Sequence, residues 1–78
     1  MMQAQGRPRV GTWVITRDGK DAGKVAEVNG HYIKVSAPAI LDYWLPIGDV
    51  ADTTEKETML TVSKEELDGE KLAGLPDA

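Results

Sequence analysis

The chain has no cysteine and no phenylalanine, and histidine occurs once, so several chemistries are closed before any pattern is sought. Without cysteine there is no disulfide staple, no thiolate nucleophile and no thiolate metal site, and stability must come from packing or self-association. A lone histidine, His31, cannot build the usual zinc shell. No apolar run approaches the ~20 residues of a membrane span, and the opening MMQAQGRPR has no apolar h-region. The expected location is the cytoplasm. With only Trp13, Tyr32, Tyr43 and Trp44 as aromatics, most of the core must be Val, Ile and Leu.

What is present fits one small domain of 78 residues, a size at which folding buries only about 60% of the unfolded chain's surface. Charge is uneven. Residues 1–34 carry six basic and three acidic side chains, residues 35–78 three and ten, and the net charge is −4. An acidic chain is a poor general polyanion binder, because phosphate affinity comes from clustered Lys and Arg.

Residues 1–9 lack periodicity and read as a disordered lead-in, 10–68 as the folded domain and 69–78 as a frayed tail. VGTWVIT at 10–16 is β-branched and aromatic and reads as a first strand. Asp18-Gly19 predicts a tight turn. KVAEV at 24–28 and HYIKV at 31–35 flank Asn29-Gly30, the strongest short hairpin signal. Gly23 permits a bulge or a sharp corner. DYWLP predicts a short fourth strand with a 3₁₀ turn over 47–50, ADTTEKE a polar connector, and TMLTV at 58–62 a fifth strand. Ser63-Lys64-Glu65-Glu66 has capping-box spacing, which starts a short helix with Leu67 facing inward. Five short strands with tight turns predict a mainly β fold, a small five-stranded SH3-like barrel with a short C-terminal helix.

No catalytic constellation can be assembled. The serines and threonines lack a G-x-S-x-G elbow, and no general base is spaced to serve them. Asp18 and Asp21 lack the order of a Ca²⁺ loop, and Gly11, Gly19 and Gly23 precede no helix that would make a phosphate cradle. The expected protein is therefore not an enzyme, and no cofactor or metal is implied. Two surfaces remain. Trp44, Tyr43, Ile40, Leu41 and Trp13 form a candidate protein interface, since alternation at Tyr43-Trp44-Leu45 sends Trp44 away from a core that takes Tyr43 and Leu45. Arg17, Lys20, Lys24, Tyr32 and Lys34 form a candidate nucleic-acid face, diluted by Asp18, Asp21 and Glu27.

The order Gly11-Thr12-Trp13-Val14, Asp18-Gly19-Lys20, Gly23-Lys24-Val25, Val28-Asn29-Gly30, Tyr32-Ile33-Lys34-Val35 and Tyr43-Trp44-Leu45-Pro46-Ile47 resembles the PRC-barrel superfamily over about residues 10–62, closest to its small bacterial domains. The superfamily includes the cytoplasmic domain of the photosynthetic reaction-centre H subunit and the C-terminal domain of a ribosome maturation factor. The resemblance implies a binding or assembly module, acting by protein–protein contact or self-association. Gly11, Asp18-Gly19-Lys20 and Gly23-Lys24-Val25 are also similar to the shorter KOW motif, which implies as the alternative an RNA- or ribosome-associated module.

Overall fold

The computed structural model describes residues 7–75. Six strands form one sheet: β1 (Trp13–Ile15), β2 (Asp21–Asn29), β3 (Tyr32–Ser36), β4 (Tyr43–Pro46), β5 (Val50–Thr53) and β6 (Glu57–Leu60). A helix, α1 (Lys64–Glu70), follows them. The sheet order is β4-β3-β2-β1-β6-β5, so β1 sits near the middle, antiparallel to β2 and parallel to β6. The fold is mainly β as expected, but it has six strands rather than five, and the sheet ends at β4 and β5 without closing on itself.

Three bulges coil this sheet. The register skips Ala22 opposite β1, Ala26 opposite β3 and Ala51 opposite β6. A bulge bends its strand and raises the local twist, and alanine is small enough to leave the ladder unpaired without a large side chain to place. The concave side holds Val14, Val25, Ile33, Val35, Tyr43, Leu45 and Leu60, with Leu67 of α1 packed across them. Alternation in β3 supplies Ile33 and Val35 to this face and turns Lys34 outward, as the sequence pattern predicts.

The turns explain where the elements start. The β2–β3 loop is Gly30-His31, because Asn29 pairs with Tyr32. The hairpin signal thus acts one residue later than expected: positive φ falls on Gly30 (φ 61) at the first loop position, the pattern of a type II′ turn, and Asn29 closes the strand. His31 is exposed at that turn, its carbonyl accepting from the Ile47 amide. At the other hairpin Asp18 Oδ1 accepts from the Thr16 hydroxyl and from the Lys64 amide at the start of α1, 3.1 Å away. The Thr16 hydroxyl is the main reason the Asp18 carboxyl is held below its ordinary range, and the Asp18-Gly19 turn thereby ties the β1–β2 hairpin to the helix.

Helix α1 carries the expected capping box: the Glu66 amide donates to Ser63 Oγ and the Ser63 amide to Glu66 Oε1. The Ser63 amide, then the Arg17 guanidinium at 3.0 Å, lowers the Glu66 carboxyl. Past Gly69 the chain continues in hydrogen-bonded structure. Helix α1 runs to Glu70, and Leu72 then pairs antiparallel with Trp44, with the Trp44 amide donating to the Leu72 carbonyl (2.8 Å) and the Leu72 amide to the Trp44 carbonyl (3.0 Å). The N-terminal boundary is also earlier than expected, since Pro8 is buried and the Arg7 guanidinium donates to the Gly30 carbonyl. The remainder of the lead-in (1–6) and of the tail (76–78) lies outside the described residues.

One carboxyl pair joins the 3₁₀ turn Ile47–Asp49 to the end of α1. Burial first, then Glu70, pushes the Asp49 carboxyl up to about 6, and Asp49 Oδ2 is sealed from solvent without a hydrogen-bond partner. A carboxyl raised in the folded state costs nothing when protonated in both states; the cost grows as pH rises from 4 and is complete above 6. Asp49→Asn removes the charge and supplies a donor towards Glu70. The variant is expected to be more stable than the parent by about 1–2 kcal/mol at pH 7, after discounting for partial solvation, and equal to it near pH 4. Denaturant titrations of both proteins across pH 4–7 check this, and a pH-independent difference would remove the carboxyl pair as its cause.

Candidate protein-binding surface

Trp13 stands on the convex side of β1, 44% exposed, because its neighbours Thr12 and Val14 point inward. Its register partner on β2 is Lys24, whose Nζ lies 4.3 Å above the centre of the indole ring. This cross-strand cation–π contact ties the ammonium to the face of the indole ring. Gly23 lies beside them, and a Cβ there would come within 2.5 Å of the Ser36 carbonyl oxygen. Ser36 is brought that close because β3 pairs with β2 through Lys24.

The chain from Ala37 to Asp42 forms the opposite wall. Ala39 sits in the left-handed region at φ 68, a conformation that costs an alanine about 1–2 kcal/mol. Beyond it Ile40 and Leu41 are 49% and 90% exposed. Between this loop, Trp13 and α1 runs a groove of about 530 Å³ that reaches Tyr43 and Leu67 at its base and Lys64 and Lys71 at its rim. The Tyr43 phenol donates to the Ala22 carbonyl at 3.2 Å, and burial pushes it up to about 12. Lys71 Nζ lies 4.7 Å over the same ring and pairs with Asp68 at 3.2 Å.

The five residues expected to form a protein interface therefore divide. Trp13 and Ile40 share the groove, and Leu41 projects next to it over a second depression with Lys34 and Ala73. Tyr43 is core. Trp44 faces away from the core cluster as alternation requires, yet it is only 9% exposed, because the Leu72 segment lies along the β4 edge on its side. The expectation that Trp44 is the outward anchor fails for that reason.

The candidate basic face is also broken up. Arg17 turns to Glu66 and the Thr61 carbonyl, and Lys34 lies 3.9 Å from Asp42 and 5.9 Å over the Trp44 ring. Tyr32 is half-buried opposite Asn29 and Pro46, and Lys20 belongs to the β1–β2 turn. Lys24, Lys34 and, by alternation, Tyr32 share the convex side, with the Ala26 bulge between Lys24 and the residues that pair with Lys34 and Tyr32. Sequence reading missed Lys64, Leu67 and Lys71 as groove residues, since only the packing of α1 brings them opposite Trp13. Among the described residues no set of three or more His, Cys, Asp or Glu side chains is placed to hold a metal ion, and no helix is long and apolar enough to cross a membrane. Compared with family models, with curated proteins and with solved structures, the chain matches none.

Proposed function

We propose that the chain is a PRC-barrel-like binding module that acts by contact with another protein or a second copy of itself in the cytoplasm, without catalysis of its own. The observation that carries this reading is the juxtaposition of exposed Trp13 and Ile40 around one groove, with exposed Leu41 beside it over the adjoining depression. Large apolar side chains held in place by a strained loop and a cation–π contact lose little freedom on binding, which is what an interface anchor requires. The turn glycines and the aromatic-Leu-Pro-Ile segment support the PRC-barrel likeness. The RNA-associated alternative draws no support from the basic side chains, which carboxylates and aromatic rings divide among themselves.

The test is a photo-cross-linking residue at Ile40 in the intact protein, expressed in cells and compared with one at Lys56. Adducts with protein at position 40, resistant to nuclease and lost in Trp13→Ala/Leu41→Asp, are expected. Adducts with nucleic acid, or none above the level at position 56, would remove the reading. Sedimentation of the same protein separates a second copy from a different partner.

A further inference from the structure

We propose that the groove between Trp13, the 37–42 loop and α1 receives an acidic peptide segment of a partner protein. In this arrangement an aliphatic or aromatic side chain of the segment seats among Trp13, Pro38 and Ile40, and its carboxylates meet Lys24 and Lys64. The proposal rests on the binding-module reading above and names the chemistry of the partner.

Charge decides the occupant. The chain carries −4, yet the residues lining the groove include Lys64 and Lys71 against the one carboxylate of Asp21, a surplus of one positive charge, while Lys24 and Glu57 flank Trp13 as its register partners on β2 and β6. Lys71 is satisfied by Asp68. Lys24 and Lys64 are held differently: Lys24 by the Trp13 ring, and Lys64 by the Asp21 backbone carbonyl at 3.1 Å. Both contacts fix the ammonium in place and leave its charge without a carboxylate within 4.0 Å among the described residues. The one carboxylate lining the groove, Asp21, is engaged by the Gly23 amide at 2.9 Å. Arg17 and Lys34, by contrast, each meet a carboxylate elsewhere on the surface.

An acidic segment is repelled by most of this chain and attracted at the groove, which gives orientation as well as affinity. The apolar walls between the two ammonium groups supply the anchor contact. A nucleic acid fits less well, because a surplus of one charge releases few counterions and Trp13 is the single exposed aromatic face among the described residues lining the groove, where a strand needs a run of them.

The experiment titrates the intact protein with a synthetic peptide of leucine flanked by glutamates, following tryptophan emission and heat. Its glutamine analogue, its lysine analogue and a single-stranded RNA oligonucleotide are run alongside. The glutamate peptide is expected to bind about fivefold or more tighter than the glutamine analogue. Binding should weaken with salt and fall by a similar factor in Lys24→Gln/Lys64→Gln, which gives up one exposed cation–π contact and one exposed hydrogen bond and so lowers the thermal midpoint only slightly. Equal binding of the glutamine or lysine analogue, tighter binding of RNA, or an undiminished affinity in the double variant would overturn the proposal. If no peptide binds while position 40 still cross-links to protein, the acidic partner is refuted and the binding-module reading stands. If both fail, both fall.

Discussion

Gly23→Ala is expected to remove about 3–5 kcal/mol of stability, most of what a domain of this size has. Two costs add at this position. The backbone at φ 121 lies where a side chain is strained, and the new Cβ would meet the Ser36 carbonyl oxygen at 2.5 Å and the Ala37 Cβ at 3.0 Å. The oxygen belongs to backbone paired in the β2–β3 ladder, so it cannot swing aside as a flexible side chain would. Gly11→Ala separates the two costs, since Gly11 has φ 93 but open space around its absent Cβ. That variant should lose about 1–2 kcal/mol. Urea titrations of the parent and both variants give the comparison. Equal losses would show that strands β2 and β3 can part at Ser36 at no cost. The same residue makes the floor of the proposed groove, so the bulge that curves the sheet also shapes its binding surface.

Several elements were legible because their signals are local. Ser63 and Glu66 are spaced to serve each other's amides, and α1 begins there. Gly23 breaks the β2 pattern beside the Ala22 bulge. The β2–β3 hairpin was predicted, but Asn29-Gly30 is compatible with two registers, and the pairing of Asn29 with Tyr32 chooses the later one. Strand β5 was hidden inside a polar connector: Ala51 and Asp52 have low strand propensity, and the Ala51 bulge breaks the alternation that would reveal them. Its stability comes from pairing with β6 in a hairpin whose connection, 54–56, carries none of the glycine or asparagine that would signal a turn. The surface divides in the same way. Trp13 and Ile40 were legible from alternation and from the Pro38 loop, whereas the lysines of α1 join them only through tertiary packing. The C-terminal residues mislead most, since Gly69 interrupts the helical pattern and reads as fraying while Leu72 contributes backbone hydrogen bonds to β4.

Trp44→Ala is expected to cost about 2–3 kcal/mol and to leave the oligomeric state unchanged. The expectation follows from where the ring is. In β4, Tyr43 and Leu45 enter the core and Trp44 lies on the other side, where a tryptophan would ordinarily be the most exposed residue of the strand. The two reciprocal hydrogen bonds between Trp44 and Leu72 make them a directly opposed antiparallel pair. Opposed residues project to the same side, so the Leu72 side chain stands next to the indole on the convex face. Removing the indole therefore removes both its own burial and the apolar support of residues 71–75. Leu72→Ala should cost about 1 kcal/mol, and the double variant less than the sum of the two, because each side chain buries the other. Stability is read from denaturant midpoints and association from sedimentation at several concentrations. Additive losses would separate the ring from the tail. A Trp44→Ala protein with the parent's stability and a lower apparent mass would place the ring in an interface between chains, leaving Trp13 and Ile40 as secondary contacts.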